Sequence, residues 1–374
     1  MNYFDNRLSI AIFNIRFGLA LFVIYIHFNI LNGFVLLGQP IVFESNWLRF
    51  IVITIGEVLA RISVPLFFFI SGYLFFEGIR KGGGVFFTQK IKKRVRSILV
   101  PYLSWSIITF LYSVGRGSSL LRVLFPNAKP CSIIEQIIGM YANLNYDWLF
   151  QSEPVPPINV PLWFVRDLFV VILCSPIIYF FLKKKRQGYV VLVLMLILWM
   201  QTFFPTYLIP GISLVSFLFF SMGAFMKIHN YNPLEVFYDK RYYLLCGFIF
   251  LSIIDILVIA SPYFPSTINN LVHCFMILSS FIPVLLTVSK IQKTSINTLL
   301  SSSSFVLFSL HYLIVHDVAK LILRLCRVEE YVSQFNMCML YLFVPLITAI
   351  ICVFVYRIIS YDKFATMLFI GRNS

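Results

Sequence analysis

The chain has 374 residues, of which 60% are hydrophobic and only 12% are charged, whereas an ordinary soluble domain is about 45–50% apolar. Thirty Lys and Arg residues outnumber fifteen Asp and Glu residues, and the mean hydropathy is +0.88. This much apolar surface exceeds what a soluble core of this length can bury, and we therefore expect most of the chain to lie in lipid. The composition also excludes intrinsic disorder, a secreted disulfide scaffold and a coiled coil.

Ten apolar runs, each bounded by charged or turn-forming residues, predict ten transmembrane helices. A helix needs about 20 residues to cross roughly 30 Å of hydrocarbon. The fifth and sixth runs are short and lie around Pro205 and Pro210, where one broken hairpin is the alternative. We therefore predict an all-α, polytopic integral membrane protein. The expected spans are residues 9 to 37, 51 to 76, 97 to 115, 161 to 182, 189 to 205, 212 to 227, 242 to 260, 269 to 289, 298 to 323 and 336 to 359.

Basic residues concentrate in alternate loops, which predicts the orientation of the chain. By the positive-inside rule, both termini are expected in the cytoplasm. The excess of positive charge then orients the protein in a lipid bilayer, and no nucleic-acid partner is expected. The basic residues from 90 to 96 have binding of an anionic substrate as a further expected role. The cytoplasmic groups are Arg80, Lys81, Lys90, Lys92, Lys93, Arg94 and Arg96; Lys183 to Arg186; Lys227, Lys240 and Arg241; and Lys290 and Lys293.

The longest segment between spans runs from residue 116 to residue 160 on the predicted outer side and is rich in proline and aromatic residues. Loops of this length are often lids or binding elements, although a tolerated surface excursion is the alternative. The seven cysteines form no C-x-x-C pair and lie mostly within apolar runs. We therefore predict no disulfide framework and no metal site.

The first span contains two ionisable residues, Arg16 and His27. Eleven residues at about 100° each place them within roughly 20° on one helical face, about 16 Å apart along the axis. Ionisable side chains inside a span are costly, so they indicate a functional site unless acidic residues elsewhere pair with them. This stripe suits a long ligand that enters from the cytoplasm and reacts deeper in the membrane.

The second span contains Arg61, one helical turn after Glu57, and then the sequence V-P-L-F-F-F-I-S-G-Y at residues 64 to 73. An ion pair with Glu57 is the structural alternative to a binding role for Arg61. Pro65 interrupts the backbone hydrogen-bond ladder. Ser71 and Gly72 permit close backbone approach, either to a ligand or simply to a neighbouring helix.

The fourth and ninth spans contain further polar residues. Trp163, Arg166 and Asp167 open the fourth span, where an interfacial anchor and a neighbouring ion pair are the alternatives to a site. His311 follows a serine-rich stretch in the ninth span and faces away from His316 five residues later. His316, Asp317 and Lys320 are spaced to neutralise one another in part.

Five segments in the right order resemble the acyltransferase 3 family, whose members are integral membrane acyltransferases that modify carbohydrates. The late segment has Phe308 where the family commonly has an aromatic hydroxyl, and Lys93, Arg94 and Arg96 offer two registers of the basic motif. The resembling segments are Arg16 to His27, the motif at 64 to 73, K-K-R-V-R-S-I-L-V-P-Y (92 to 102), P-L-W-F-V-R-D-L (161 to 168) and S-F-V-L-F-S-L-H (304 to 311).

The resemblance implies a single membrane-embedded acyltransferase domain over residues 1 to 374, in the plasma membrane of a bacterium (the inner membrane). It implies transfer of an acyl group, in most cases acetyl from acetyl-CoA, to a hydroxyl of a glycan or glycolipid. Acyl-CoA is thus a donor substrate, and no bound cofactor is expected. Some members have an extra hydrolase-like domain after the membrane domain, and because this sequence ends at Ser374, we expect any such contribution to come from another protein.

The resemblance and the chemistry together assign roles to the polar residues. His27 is the expected general base, directly or through an acyl-enzyme, because imidazole titrates near working pH. Arg16, Lys93, Arg94 and Arg96 are expected to hold the phosphates of the donor. Arg61, Ser71, Trp163, Arg166 and His311 complete the predicted substrate-binding set, with Trp163 and His311 on the acceptor side. The alternative function is a polytopic transporter or flippase for a glycolipid or small solute.

Overall fold

The computed structural model describes residues 3–28, 35–36, 39–40, 46–79, 83–115, 157–201, 207–209, 211–325 and 333–372. Most of the predicted outer segment from 116 to 160 and the turn around Pro205 and Pro210 lie outside the described residues. Apolar stretches in lipid must satisfy their backbone groups internally, and helices do so.

The described helices are listed here in chain order. They are α1 (Tyr3–His27), α2 (Asn46–Val52), α3 (Ser63–Phe75), α4 (Gly83–Arg94), α5 (Val100–Gly115), α6 (Trp163–Leu173), α7 (Ser175–Leu182), α8 (Lys185–Met200), α9 (Leu214–Ile228), α10 (Pro233–Val236), α11 (Arg241–Ala260), α12 (Ser266–Val288), α13 (Ser295–Leu325), α14 (Gln334–Tyr361) and α15 (Lys363–Ile370). Two antiparallel pairs of short strands accompany them, namely β1 (Val35–Leu36) with β2 (Gln39–Pro40) and β3 (Tyr207–Ile209) with β4 (Ile212–Ser213).

Seven helical stretches within the described residues are long and apolar enough to cross a membrane, and a bent pair makes up to eight. The bent pair consists of Val160–Leu173 and Ser175–Leu182, which meet at 61°. The prediction of an all-α, polytopic membrane protein is confirmed. The seven stretches are Tyr3–His27, Asn46–Phe75, Val85–Tyr112, Tyr238–Ala260, Ser266–Val288, Ser295–Leu325 and Gln334–Tyr361.

The fifth and sixth predicted spans correspond to α8 and α9, which have only 16 and 15 residues. At 1.5 Å per residue these helices are about 24 and 22 Å long, shorter than the roughly 30 Å hydrocarbon layer. The number of ten spans and the cytoplasmic placement of both termini therefore stay predictions.

Two stretches of π-helix interrupt the long helices. Ile53–Leu59 follows α2 and passes through a 3-10 turn, Ala60–Ile62, into α3, while Val95–Leu99 joins α4 to α5. Pro65 lies in the first turn of α3 and lacks the N–H that would bond to the carbonyl four residues earlier. π-Helical segments are rare and occur often at functional sites.

The chain divides into two compact units, residues 1–67 with 232–356 and residues 68–231 with 357–374. A single domain over residues 1 to 374 stays a prediction beside this division. In the first unit, α1, α2, α13 and α14 share one apolar core that includes Ile24, Leu48, Leu307 and Val344. This core positions the C-terminal end of α1 against α13.

In the second unit, two glycines allow α3 and α9 to pack backbone to backbone. A Cβ on Gly72 would lie 2.0 Å from the carbonyl oxygen of Phe220, and one on Gly223 would lie 1.9 Å from that of Phe69. Real Cβ atoms never approach a backbone oxygen so closely, so both positions require glycine. The predicted close-packing role of Gly72 is confirmed, and Gly223 is its partner on the other helix.

Candidate functional site

Arg16 and His27 lie on the same uninterrupted helix, α1, and both side chains are partly buried. Their separation of eleven residues in regular α-helix gives the axial distance of about 16 Å expected from the sequence. Arg16 makes polar interactions with other parts of the structure. The helix thus carries a cation near its middle and an imidazole at its last residue.

Hydrogen bonds from the middle of α1 and from near its C-terminal end tie the helix to its neighbours. Asn14 Nδ2 donates to the carbonyl of Ile291 at 2.9 Å, and the hydroxyl of Tyr25 donates to the carbonyl of Leu342 at 3.0 Å. The second bond is part-buried and lies two residues before His27, so it restrains the end of the helix that carries the imidazole.

The imidazole of His27 packs against two rings of α13. The ring centroid of His311 lies 5.4 Å away at an interplanar angle of 41°, and that of Tyr312 lies 5.6 Å away at 80°. His311 is fully buried, whereas the side chains of His27 and Tyr312 remain partly accessible. The structure therefore brings together two of the predicted site residues, His27 and His311, from spans that are far apart in sequence.

A hydrogen bond to the backbone determines the tautomer of His311. Its Nδ1 lies 3.0 Å from the carbonyl oxygen of Leu307, and because a carbonyl only accepts, Nδ1 must carry the proton. Nε2 then has the lone pair, and among the described residues this buried atom has no hydrogen-bond partner. His311 thus presents an unused acceptor beside His27.

Arg61 forms the ion pair with Glu57 that is the alternative to its predicted substrate-binding role. Its Nη2 lies 2.6 Å from Glu57 Oε2, and its Nε donates to the same oxygen at 3.1 Å. The pair lies at the junction of the π-helix Ile53–Leu59 and the following 3-10 turn. Arg61 also lies close enough to His27 to act on it electrostatically. Arg61 is therefore a cation near the paired rings of His27 and His311, hereafter the histidine cluster. The carboxylate of Glu57 already partly compensates its charge.

His316 also belongs to the surroundings of the histidine cluster. It acts electrostatically on His27, and its ring centroid lies 6.2 Å from that of Phe28. Asp317 and Lys320 in turn act electrostatically on His316, as their spacing predicted. His316 is exposed, in contrast to the buried His311 one and a half turns earlier.

In the second unit, the predicted donor-binding cations surround a separate cavity. Lys93, Arg94 and Arg96 line a space of about 1080 Å³ at the end of α4 and along the π-helix Val95–Leu99. Lys93 and Arg96 are exposed, while Arg94 is partly buried. All three predicted cations therefore face one cavity, so the two registers of the basic motif need not be alternatives.

The remaining predicted residues also lie in the second unit. Ser71 is partly buried beside Gly72 on α3, and Trp163 is the partly buried first residue of α6. Arg166 and Asp167 are both buried, and Arg166 Nη2 lies 3.0 Å from Asp167 Oδ1. Of the alternatives for these charges, the structure shows the ion pair, which makes Arg166 part of the packing of α6.

Sequence reasoning missed several polar residues. Tyr312 gave no family signal of its own, although its place next to His311 is a clue in retrospect, and it brings an aromatic hydroxyl near His27 where Phe308 lacks one. A second such contact joins His273 and Asp255, where Nδ1 of His273 lies 2.7 Å from a carboxylate oxygen of the fully buried Asp255 on α11. Only tertiary packing brings these residues together.

Within the described ranges, no group of three or more His, Cys, Asp and Glu side chains is arranged to hold a metal ion. The described cysteines that are free are Cys174, Cys246, Cys274, Cys338 and Cys352.

Ionisable side chains within membrane spans are costly and mark functional sites, and imidazole is the side chain that most readily exchanges a proton near neutral pH. The model of the family described as "Acyltransferase domain" matches residues 10–359, nearly the whole chain. The chain therefore belongs to the acyltransferase 3 family.

One relative is the succinoglycan biosynthesis protein ExoH of Rhizobium meliloti (strain 1021), with 33% identity over 139 residues. The match covers 36% of this chain and 32% of that relative, so it spans about a third of either protein. No solved structure matches the chain.

Proposed function

We propose that the protein transfers an acyl group, acetyl in the first instance, from acyl-CoA to a hydroxyl of a glycan or glycolipid in the bacterial inner membrane. The observation that carries this proposal is the contact between His27 and His311, at 5.4 Å between ring centroids, in a chain of the acyltransferase 3 family. Imidazole is the side chain best suited to move a proton near neutral pH.

In the proposed reaction, His27 accepts the proton of the acceptor hydroxyl as the hydroxyl oxygen attacks the thioester carbonyl carbon. A carbon–oxygen bond forms, the carbon–sulfur bond breaks, and the leaving thiolate takes the proton from His27 to give free CoA. General base catalysis of this kind typically contributes about 10²- to 10⁴-fold in rate. His311 is proposed to accept a hydrogen bond from the acceptor at its unused Nε2 and so to orient it.

The donor is proposed to bind through its phosphates. Lys93, Arg94 and Arg96 line one cavity in the second unit, and charge-assisted hydrogen bonds from guanidinium and ammonium groups are the usual means of holding phosphate. Arg16, in the middle of α1, is proposed as a further donor-binding cation.

The nature of the acceptor is inferred from the relative. That protein is named for the biosynthesis of succinoglycan, a glycan. A polysaccharide or its lipid-linked precursor is therefore the acceptor class that we propose for this chain, and acetyl and succinyl are the acyl groups to test first.

The test is acyl transfer by the purified protein in lipid nanodiscs, with radiolabelled acetyl-CoA or succinyl-CoA and a panel of lipid-linked and free oligosaccharides. We expect label in a glycan with the wild type and a loss of about 10²-fold or more with His27→Ala. The matched control is His229→Ala, because His229 is also partly buried but bonds to the carbonyl of Leu182 at 2.9 Å.

Equal transfer by the wild type and His27→Ala would remove His27 from the chemistry. If no acyl-CoA labels any glycan, while a glycolipid moves across the bilayer of proteoliposomes, the transporter alternative replaces the enzyme.

A further inference from the structure

The last described helix, α15, packs firmly onto the start of α5 in the second unit. The indole nitrogen of Trp105 donates to the carbonyl of Phe369 at 3.0 Å, and the two rings meet edge to face at 5.6 Å. The carboxylate of Asp362 caps the first turn of α15 by accepting from the backbone N–H of Ala365 at 2.6 Å. Residues 363–372, hereafter the α15 segment, are therefore an ordered and packed part of this unit.

Gly371 brings the backbone of the α15 segment into direct contact with the π-helix Val95–Leu99. It ends α15 in the left-handed conformation, with φ of 72°, and its N–H donates to the carbonyl of Met367 at 3.2 Å. A Cβ at this position would lie 2.5 Å from the carbonyl oxygen of Ser97 and 2.7 Å from its Cα. Only glycine satisfies both the positive φ and the close approach.

This contact makes the α15 segment one wall of the basic cavity. Ile370, Gly371 and Arg372 line it together with residues of α4 and of the π-helix. The lining residues include five cations and no acidic residue, so the electrostatic potential in the cavity favours an anion. The five cations are Lys92, Lys93, Arg94, Arg96 and Arg372.

Two hydrogen-bond donors in the cavity, the hydroxyl of Ser97 and the guanidinium of Arg96, have capacity for a ligand. The hydroxyl of Ser97 is buried, and among the described residues it has no hydrogen-bond partner. Arg96 uses an Nη2 hydrogen toward the thioether sulfur of Met367 at 3.3 Å, but sulfur is a weak acceptor and a guanidinium has five N–H donors. A hydroxyl and a guanidinium at one site are a typical set of donors for phosphate oxygens.

We propose that the α15 segment completes the proposed donor cavity, with Arg372 as a further ligand of the CoA phosphates and Gly371 as the residue that permits the close approach of this wall to Ser97. The assignment rests on the proposed acyl-CoA chemistry but adds a second wall to the predicted donor site. The cavity volume of about 1080 Å³ lies just above the usual range of about 300–1,000 Å³ for ligand pockets, so the space is large enough for a nucleotide. A phosphate-bearing lipid headgroup shares this chemistry and is the other possible source of the anion.

The direct test is CoA binding, measured by isothermal titration calorimetry on the full-length protein in phosphatidylcholine nanodiscs. We expect Arg372→Gln to weaken CoA binding about tenfold, as the loss of one charge-assisted hydrogen bond predicts. Gly371→Ala should cause a similar loss without changing any charge. The control is Arg357→Gln, because Arg357 is an exposed cation in the same unit that does not line the cavity.

A second readout separates phosphate binding from a general defect. Acetyl-pantetheine is a thioester without the nucleotide phosphates, so its kcat/KM should be equal in the wild type and in Arg372→Gln. Thermal unfolding of Gly371→Ala shows whether this variant keeps its fold, and Arg372→Gln, at an exposed position, keeps the proposal testable if it does not.

Unchanged CoA affinity in both variants, with normal acyl transfer by the wild type, would overturn the cavity assignment alone. No acyl transfer by the wild type, with CoA binding that Arg372→Gln weakens, would overturn the transferase proposal and support the cavity. If Arg372→Gln instead reduces only the phosphatidylglycerol retained in native mass spectrometry, the cavity binds lipid headgroups and the CoA assignment is wrong.

Discussion

Variants of the buried His311 can distinguish a structural role of this residue from a role in acyl transfer, because the two nitrogens of its imidazole have different surroundings. Nδ1 donates to the carbonyl of Leu307, whereas Nε2 has no partner among the described residues. His311→Asn keeps a donor at the position of Nδ1 and removes Nε2. His311→Gln instead places an amide group near the position of Nε2.

The expected magnitude follows from the burial of the site. A buried polar group that loses its hydrogen-bond partner costs about 1–3 kcal/mol, and His311 is 0% exposed. If a hydroxyl of the acceptor other than the attacking one donates to Nε2, His311→Asn should lower kcat/KM for acyl transfer about tenfold to hundredfold. His311→Gln should retain more activity, because an amide oxygen still accepts. The lost packing of the ring should reduce stability by only about 1–2 kcal/mol.

The assay is steady-state transfer from labelled acetyl-CoA with varied acceptor, together with thermal unfolding of each variant in the same detergent. A folded His311→Asn protein with wild-type kcat/KM would refute the reasoning, because His311 would then only fill space and bond to Leu307. A loss confined to KM for the acceptor would indicate binding without a contribution to the chemical step.

Two further predictions concern the packing of the second unit. Gly223→Ala should lower stability in thermal unfolding by more than about 2 kcal/mol, because its Cβ would lie 1.9 Å from the carbonyl oxygen of Phe69. The control is Gly18→Ala on α1 of the first unit, which should be neutral or stabilising because its Cβ would have no atom within 4 Å. Arg166→Met should cost about 3–5 kcal/mol, since it leaves Asp167 charged and buried, and the double variant Arg166→Met/Asp167→Leu should recover most of that loss in denaturant or thermal unfolding. A double variant no more stable than Arg166→Met would contradict this account.

The apolar runs located the helices well because the cost of unpaired backbone groups in lipid leaves little freedom. All ten predicted runs contain described helices, from α1 to α14. Helix lengths were less predictable: the run from 161 to 182 is bent by 61° after α6, where α7 begins at Ser175 with Pro176 in its first turn. A proline at the start of a helix is compatible with both a straight and a broken span, so the bend depends on packing.

The relative positions of candidate site residues could be predicted from the sequence when the residues lie on one helix, but not when they lie on two helices that pack together. The stripe of Arg16 and His27 follows from helical periodicity alone. The proximity of His27 to His311 and Tyr312 does not, because it depends on how α1 packs against α13. The π-helices were also invisible, since residue propensities do not distinguish them from α-helix.

The π-helix Ile53–Leu59 acts as a phase shift between the two parts of the second span. A π-helical turn corresponds to one extra residue in an α-helix, and one residue rotates everything that follows by about 100° and moves it by about 1.5 Å. The extra residue therefore decides which side of the span presents Arg61 relative to α2. A single-residue deletion in this segment would remove the π-helical turn and direct the guanidinium toward a different neighbour, although the rings of His311 and Tyr312 beside His27 would still be present.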